Sequence, residues 1–212
     1  MFTGIVQTLA PVVSTVIESG VLRLGVRMGN LTGGLQIGAS VAVNGICLTV
    51  TEFSPDLVHF DVIDETRRLT NIGGVSVGNL VNIERSFRAG DEIGGHVVSG
   101  HISGTVVVFD IVQSEGVRNI TFVANPAQMK YLLYKGFVAL DGASLTIAFV
   151  DHVNNRFGVC LIPETIERTT LGRVVVGSQV NVEPDSQTQT IVDTVERLFL
   201  TEDLLIRLRG KN

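Results

Sequence analysis

The sequence predicts an all-β protein in which two similar small barrels follow one another and an α-helix ends the chain. Three observations support this prediction: an internal repeat, short Val- and Ile-rich runs separated by turn residues, and a C-terminal stretch whose apolar residues recur at helical spacing. The 212 residues are 45% hydrophobic and include 23 glycines, so the chain has enough apolar surface to fold and many positions suited to tight turns.

The repeat is visible when the two halves are laid over each other. Segment 65–84 matches segment 164–183 at 10 of 20 positions without a gap. Upstream, VNGICLTV at 43–50 aligns with LDGASLTI at 140–147, and the earlier TGIV aligns loosely with SGHI. Collinear matches in three blocks indicate a tandem duplication.

Each repeat has the pattern of a set of short strands. Runs such as GTVVVFDIV at 104–112 are bounded by Gly, Asn-Gly and Asp-Gly turn signals. Many short strands in a small unit favour a closed barrel, because closure leaves no exposed sheet edge. A short helical turn is expected at 126–136 and a weaker one at 29–38. The predicted divisions are a first barrel at 1–88, a second barrel at 89–186 and an oligomerisation helix at 187–212.

The tail combines a narrow apolar stripe with oppositely charged pairs on its other faces. Asp193 precedes Arg197 by four residues, and Asp203 precedes Arg207 by the same spacing. A lone helix of ~20 residues is marginal in water, so the stripe has to pack against something. It either docks on its own barrel or associates with the same helix of other copies, and its narrowness favours association. The stripe consists of Ile191, Val192, Val195, Leu198 and Phe199.

Composition and charge argue against several classes of protein. No stretch approaches the ~20 apolar residues of a membrane helix, and the N-terminus lacks the basic region of a signal peptide, so a cytoplasmic setting is expected. A formal net charge of −5 without a basic stripe argues against nucleic acid or a membrane as partner. Cys47 and Cys160 form no CxxC pair, and no third ligand accompanies His96 and His101, so no metal site is predicted.

One strand of each repeat presents reactive side chains in the same register. Side chains alternate across a strand, so Leu48 fills the barrel interior while Cys47 and Thr49 point outward. The second repeat places Ser144 and Thr146 outward in the same way. Taken singly, such residues are most often ordinary half-buried strand residues. Their recurrence in both copies favours a pair of ligand platforms.

The two platforms are similar but unequal. Asn44 of the first corresponds to Asp141 of the second, and Ile5 corresponds to His101. Like platforms suit two copies of one small, flat ligand, and their differences suit a reaction between two identical molecules. His101 lies among glycines that allow a ligand to approach the backbone, and it is suited to moving a proton near neutral pH; a structural histidine is the alternative.

Long motifs in a fixed order then identify a resemblance to a known family. The start MFTGIV, the blocks VNGICLTV, DEIGGHVVSGHISG, MKYLLYKGFVALDGASLT and LIPETIERTTLG, and the tail QTQTIVDTVERL strongly resemble riboflavin synthases of the α-chain type. The resemblance implies two six-stranded Greek-key barrels and a homotrimer that associates through its C-terminal helices. It places the active site between the first barrel of one subunit and the second barrel of its neighbour, and it implies no metal and no cofactor beyond bound substrate or product.

The implied reaction is a dismutation of two 6,7-dimethyl-8-ribityllumazine molecules, in which one donates a four-carbon unit to the other. The products are riboflavin and 5-amino-6-ribitylamino-uracil, and lumazine synthase is a further expected partner. Antenna proteins that bind lumazine or flavin without turnover share the scaffold and are the alternative; a purely structural barrel is a third reading. The complete GHI, SLT and PET motifs of the second repeat favour the enzyme.

Carried over residue by residue, the resemblance predicts a ligand site in each barrel. The first-barrel site comprises Gly4, Ile5, Val6, Ser40, Cys47, Leu48, Thr49, Asp61, Val62, Ile63, Asp64, Glu65 and Thr66. The second-barrel site comprises Gly100, His101, Ile102, Lys135, Ser144, Leu145, Thr146, Ile162, Pro163, Glu164, Thr165, Ile166 and Glu167. The positions matching those most closely tied to turnover are Phe2, Cys47, His101, Asp141, Ser144 and Asp185.

The 7-methyl protons of the lumazine are unusually acidic, and the roles expected of these residues are based on the loss of one of these protons. We expect the second barrel to hold the molecule that loses this proton, with His101 and Ser144 steering the transfer. Cys47, or a water that it positions, would assist addition to the acceptor in the first barrel. Ile46 stands where some family members have a second cysteine, which removes a spare thiol and leaves Cys47 in place.

Overall fold

The computed structural model describes residues 1–199, which form two closed six-stranded antiparallel barrels followed by a helix, as the sequence predicts. The first barrel consists of β1 (Thr8–Glu18), β2 (Val21–Arg27), β3 (Ser40–Val43), β4 (Ile46–Phe53), β5 (Leu57–Val62) and β6 (Leu80–Arg85). The second consists of β7 (Gly104–Ser114), β8 (Val117–Val123), β9 (Phe137–Leu140), β10 (Ala143–Asp151), β11 (Arg156–Leu161) and β12 (Gln179–Pro184).

Both barrels have the same strand order around the circumference. The first runs β1-β2-β5-β4-β3-β6 and the second runs β7-β8-β11-β10-β9-β12, each closing on itself. Strands β3, β4 and β5 are successive antiparallel neighbours and β2 returns beside β5, which is Greek-key topology. Closure satisfies the backbone of every strand without an open edge.

Short helices connect some of the strands within each barrel. The expected helical turn of the second repeat is α2 (Pro126–Met129), where Asn125 caps the helix by accepting a hydrogen bond from Ala127 N. Its weaker counterpart is a 3-10 turn at Gly29–Thr32. Two helices were not predicted, α1 (Asp64–Leu69) and α3 (Pro163–Arg168), because six residues are too few to display helical periodicity.

The C-terminal helix α4 (Ser186–Phe199) begins after Asp185, whose carboxylate accepts hydrogen bonds from Thr188 N (2.9 Å) and Thr188 Oγ1 (2.8 Å). This is the N-cap arrangement that satisfies free N–H groups in the first turn. The charge pair predicted between residues 203 and 207 lies outside the described residues. Within residues 1–199, no helix is long and apolar enough to cross a bilayer.

Each barrel encloses its own apolar core. Phe60 is fully buried in the first, and Phe122 stacks on Phe157 in the second, with ring centroids 5.3 Å apart. Two core residues come from the opposite repeat in sequence: Val6 belongs to the core of the second barrel and Ile102 to that of the first. The two repeats are therefore interlocked.

Paired asparagines hold the barrels together. Asn82 of the first barrel donates from Nδ2 to Asp141 O (2.8 Å) and accepts at Oδ1 from Thr170 N (2.8 Å). Asn181, at the same position of the second barrel, donates from Nδ2 to Asn44 O (2.9 Å). The interface is thus nearly two-fold symmetric and built from amide groups, which both donate and accept.

Asp141 breaks this symmetry by placing a carboxylate where the first repeat has Asn44. Its side chain accepts from Asn181 N (2.9 Å), Asn71 Nδ2 (2.8 Å) and Thr170 Oγ1 (3.0 Å) and is almost fully buried. Burial raises the pKa of Asp141 to about 6, although these three donors favour the ionised form.

We predict that Asp141→Asn stabilises the fold at neutral pH. Because the folded state binds the proton of Asp141 more tightly than the unfolded state does, the free energy of unfolding falls as the pH rises from about 4 to about 6. Asparagine removes this loss, so urea denaturation near pH 7.5 should show the variant more stable by up to about 3 kcal/mol, with no difference near pH 4.

The converse substitution is the control. Asn44→Asp places a second buried carboxylate at the matching position and should destabilise the fold near neutral pH only. A variant with Asn at position 141 that is less stable than the natural chain near pH 7.5 would show that the three hydrogen bonds outweigh the burial of the charge.

Candidate functional site

The platform strands β4 and β10 alternate as the sequence predicts. Leu48 and Val50 of β4 are buried inside the first barrel, whereas Cys47 is half-buried and Thr49 is exposed on the outer wall. In β10, Ser144 and Thr146 face outward with the same alternation of burial. Each barrel therefore presents a hydroxyl or thiol and a threonine on its outer surface.

Each platform is completed by a turn from the opposite repeat. Ser144 N donates to Gly4 O (2.8 Å), and Cys47 N donates to Gly100 O (3.0 Å). The ladder between β4 and β5 begins only at Val50, so the N–H group of Cys47 is open to the incoming turn. We call residues 3–5 and 99–101 the crossing turns.

This crossing corrects the expected division of the site residues between the barrels. The riboflavin synthase resemblance grouped Gly4, Ile5 and Val6 with the first barrel and Gly100, His101 and Ile102 with the second. In the structure, Gly4 and Val6 contact the second barrel, and Gly100, His101 and Ile102 lie at the first. An antiparallel bridge between Phe2 and Val98, which exchange two backbone hydrogen bonds of 2.8 and 2.9 Å, sends each turn across to the other barrel.

Glycine is required where the crossing turns touch the platforms. Gly4 and Gly100 have φ values of +75° and +85°, in the left-handed region. A Cβ atom on Gly4 would lie 2.5 Å from the Cβ of Ser144, and one on Gly100 would lie 2.5 Å from the Cβ of Cys47. Only a residue without a side chain allows this approach.

A small pocket lies over Cys47 on the first barrel. It has a volume of about 200 Å³ and is closed on one side by the crossing turn that carries His101 and on the other by α1. We call it the first pocket; its lining residues are Ile46, Cys47, Glu65, Thr66, Leu69, Thr70, Gly100, His101 and Ile102.

The second pocket lies at the equivalent place on the second barrel. It has a volume of about 300 Å³, and α3 supplies the wall that α1 supplies in the first. Its lining residues are Lys135, Ser144, Leu145, Thr146, Ala148, Cys160, Ile162 and Thr165. The two pockets therefore share a framework and differ in the side chains that occupy it.

A histidine contacts the hydroxyl of the second pocket. His96 Nδ1 lies 2.6 Å from Ser144 Oγ, and the imidazole stacks on Phe137 with ring centroids 5.1 Å apart. Burial lowers the pKa of His96, and the charge of Asp185 opposes this effect only in part. The neutral imidazole is therefore favoured near neutral pH, where it can exchange a proton with Ser144.

Lys135 distinguishes the second pocket electrostatically. It has a φ of +64°, and its N–H donates to Ile147 O (2.9 Å). Gly38 occupies the matching position of the first barrel with a φ of +84° and donates to Val50 O (2.8 Å). Holding a lysine in this conformation costs about 1 kcal/mol that glycine avoids, and it brings an ammonium group to one pocket only.

A second difference lies on β5 and β11. Asp61 pairs with Arg23 across the strands of the first barrel, with Oδ1 3.5 Å from Nε. At the matching place in the second barrel, Cys160 Sγ donates to Asn119 Oδ1 (2.7 Å). The wall of the second pocket thus carries a cysteine side chain where the first barrel carries an aspartate.

Comparison with known proteins agrees with this duplicated architecture. Residues 3–86 and 99–185 each match the lumazine binding domain model. A riboflavin synthase from Escherichia coli (strain K12) is 50% identical over 205 residues, which cover 96% of this chain and 95% of that protein. Another, from Chlamydia muridarum, is 45% identical over 197 residues, which cover 93% and 96%. The chain belongs to the riboflavin synthase family.

Solved structures of the lumazine protein LumP share the fold. The complex of LumP with riboflavin superposes with a TM-score of 0.81 at 26% identity, covering 88% of this chain and 100% of that one. The complex with 6,7-dimethyl-8-(1'-D-ribityl) lumazine gives 0.79 at 25% identity, with the same coverage.

Three residues that the riboflavin synthase resemblance ties to turnover lie away from both pockets. Phe2 is fully buried between the barrels, Asp141 is buried in the amide network, and Asp185 caps α4. Their side chains contact or influence other groups: Phe2 underlies Gly100, and the charge of Asp185 acts on the imidazole of His96.

The other predicted residues surround the pockets or fill the barrels. Leu48 and Val62 lie in the first core, and Ile166 packs against the second. Ser40 pairs with Thr49 across β3 and β4. The remaining residues begin or form the flanking helices: Ile63 and Asp64 at α1, and Pro163, Glu164 and Glu167 at α3.

Cys160, which lines the second pocket, and His96, which contacts Ser144, were not predicted from the sequence as site residues. Cys160 was considered only as half of a possible disulfide or metal pair. His96 was considered only as a possible metal ligand beside His101, whereas a bend at Gly94 and Gly95 precedes it in the structure and its imidazole contacts Ser144. The repeat gave no signal for His96, because its equivalent in the first half would precede residue 1.

We predict that Gly100→Ala destabilises the fold more than Gly90→Ala. Both glycines have positive φ, but a Cβ on Gly90 meets nothing within 4 Å. The Gly90 variant should lose about 1 kcal/mol from backbone strain, and the Gly100 variant about 2–4 kcal/mol, because the added methyl also collides with Cys47. Thermal and urea unfolding measure the difference; equal losses would argue against the close approach of this turn to β4.

Proposed function

We propose that this chain is a riboflavin synthase that converts two molecules of 6,7-dimethyl-8-ribityllumazine into riboflavin and 5-amino-6-ribitylamino-uracil. The single observation that carries this proposal is the presence of two like but unequal pockets in one chain. The reaction balances without another reactant, because the four-carbon unit lost by one molecule is gained by the other. Identity of 50% with a riboflavin synthase over nearly the whole chain supports the same assignment.

The second pocket is suited to the molecule that loses a proton. Ser144 and the neutral His96 provide a route for the proton, since their polar atoms are 2.6 Å apart. The ammonium group of Lys135 would stabilise the anion that remains on the lumazine ring. The first pocket has Gly38 at the position that matches Lys135, and the acidic residue Glu65 lines it.

The first pocket is suited to the acceptor molecule. Cys47, or a water that it positions, would assist addition at the acceptor ring, and His101 is placed at the same pocket. The expectation that His101 and Ser144 act together within one subunit changes accordingly, because they line different pockets. Apposition of the first pocket of one subunit with the second pocket of its neighbour would bring the two residues to one active site.

Bringing two identical molecules together supplies much of the rate enhancement. Fixing both reactants in one site turns a bimolecular step into a local one, which is worth up to about 7–11 kcal/mol in favourable cases. Because the 7-methyl protons are already acidic, the residues of the pockets need only modest basicity. This agrees with a site built from serine, histidine, cysteine and lysine side chains.

A homotrimer held by α4 completes the proposal. Lys130 of the α2 turn binds Asp193 (3.2 Å) and Glu196 (2.5 Å), so the polar face of α4 faces its own barrel. The apolar face points away and is exposed, with Ile191 at 64% and Val195 at 45%. Burial of this stripe against the α4 helices of other copies follows from its chemistry. A cytoplasmic location and an association with lumazine synthase stay predictions.

Flavin or lumazine binding without turnover is the alternative function. It is favoured by the likeness to LumP, whose structures contain riboflavin, flavin mononucleotide or the lumazine. The intact second pocket favours the enzyme, since a fluorescent binder needs only one site. Incubation of the purified chain with the lumazine distinguishes the two: formation of riboflavin absorbance supports the enzyme, and a stable complex without product supports the binder.

We predict that Ser144→Ala and His96→Gln each lower riboflavin formation by about 10²–10⁴-fold, because each removes one partner of the proton route. The double variant should be no worse than the more severe single variant, since the two residues act as a unit. His152→Gln, in an exposed loop, is the control and should keep full turnover. Full activity of Ser144→Ala would overturn the role given to this pair.

We predict that the double variant Ile191→Asp and Val195→Asp sediments as a monomer and forms no riboflavin, because charged residues prevent burial of the stripe and separate the two pockets of each active site. Glu196→Gln is the matched control: it removes a contact within one subunit and should leave the trimer intact. A trimer that persists in the double variant would exclude α4 as the contact between subunits.

A further inference from the structure

Each crossing turn is held by one carboxylate at the end of a barrel. Glu84 on β6 accepts hydrogen bonds from Thr3 N (2.6 Å), Thr3 Oγ1 (2.8 Å) and Gly4 N (3.1 Å). Glu183 on β12 accepts from Ser99 N (2.7 Å), Ser99 Oγ (2.7 Å) and Gly100 N (3.0 Å). The two clusters repeat the same three bonds, so each carboxylate is fully engaged by one turn.

The environment of these carboxylates is costly for a charge. Glu84 and Glu183 are each 5% exposed, and neither forms a salt bridge in the part of the chain described. Burial raises the pKa of both, and the hydrogen bonds from the turns oppose this rise. A carboxylate is the side chain that accepts three hydrogen bonds while donating none, which is what three converging donors require.

Each carboxylate fixes the position of a crossing turn, and that turn contacts the platform strand of the other barrel. Glu183 orients Gly100, whose carbonyl accepts from Cys47 N, and His101 follows directly with its own N–H bonded to Ser99 Oγ (3.1 Å). By the same route, Glu84 orients Gly4, whose carbonyl accepts from Ser144 N. The carboxylate of each barrel therefore acts on the pocket of the other.

We propose that Glu183 and Glu84 are positioning residues, one for each pocket: Glu183 of the second barrel holds His101 over Cys47, and Glu84 of the first barrel holds the turn against Ser144. The proposal rests on the proposed function for its effect on turnover, but the placement of the turns can be tested separately. It makes each pocket dependent on a side chain of the other barrel, so that both repeats must be folded for either pocket to be complete.

Glu183→Gln is the sharpest test because it keeps the size of the side chain. Glutamine has only one acceptor oxygen, so its NH₂ group must meet the N–H of Ser99 or of Gly100, donor against donor. The turn that covers Cys47 should loosen as a result. We expect the rate of alkylation of Cys47 by iodoacetamide, followed by peptide mass spectrometry, to rise about 10-fold or more, in line with local opening.

The chain provides two controls for this measurement. Cys160, exposed on the second barrel, should be alkylated at an unchanged rate and serves as the internal reference. Glu84→Gln loosens the other crossing turn and should leave the rate at Cys47 unchanged. If Glu84→Gln also accelerates alkylation of Cys47, the carboxylates support the fold as a whole and the proposal fails.

Turnover is the second measurement. A misplacement of about 1 Å at a reacting centre can cost about 10²-fold in rate, so both Gln variants should lose about 10–100-fold in kcat. Loss of kcat in the Glu183 variant without faster alkylation, or faster alkylation without loss of kcat, would overturn the proposal. If the natural chain forms no riboflavin, the alkylation results still decide the positioning role, and only the proposed function fails.

A milder variant covers the case in which Glu183→Gln does not fold. Ser99→Ala removes the hydroxyl that donates to Glu183 and accepts from His101 N, and it leaves the carboxylate in place. It should produce the same two effects on a smaller scale, about 2- to 5-fold each, as expected for the loss of one local hydrogen bond. An unchanged alkylation rate and unchanged kcat in this variant would contradict the proposal.

Discussion

Two backbone hydrogen bonds, from Ser144 N to Gly4 O and from Cys47 N to Gly100 O, are the contacts on which both pockets depend. They seat each crossing turn on the barrel of the other repeat. A single repeat would lack the turn that packs on its platform strand, and the N–H group that the turn satisfies would be exposed. Leaving such a group unpaired in a half-buried site costs about 1–3 kcal/mol. The duplication is therefore part of the construction of each pocket.

Because the framework is so nearly symmetric, the chemical difference between the pockets has to come from side chains. The same backbone conformation carries Gly38 in the first barrel and Lys135 in the second. At the outward positions of the platform strands, the thiol of Cys47 corresponds to the hydroxyl of Ser144, whereas Thr49 and Thr146 are alike. Within residues 1–199 a histidine, His96, is hydrogen-bonded to Ser144 and none is hydrogen-bonded to Cys47, so the Ser–His pair exists on one side. A scaffold that offers two similar places and equips only one for proton transfer suits two identical molecules with different fates.

The sequence alone predicted the parts that depend on local patterns, and it missed those that depend on how the parts meet. Short-range sequence patterns predict the repeat, the barrels and the outward placement of Cys47 and Ser144. The structure has all of these features. The crossing of the turns does not follow from periodicity. Similarity between the repeats identifies equivalent residues, but it does not indicate which barrel a turn contacts. His96 was missed for a related reason: a bend at Gly94 and Gly95 sets its direction, and no periodicity describes a bend.

Two positions that differ between the repeats carry residues that are unfavourable for stability, although the other repeat shows that the fold does not require them. Asn44 occupies its place without a buried charge and Gly38 without a side chain in the left-handed region, whereas Asp141 carries the charge and Lys135 the strained side chain at the matching places. For Lys135 the second pocket supplies the reason. Asp141 touches neither pocket, but its carboxylate holds Asn181, and the asparagine network sets how the barrels sit against each other. We therefore expect any effect of this residue on turnover to act through the amide network between the barrels, since Asp141 bonds Asn82 with its carbonyl and Asn181 with its carboxylate.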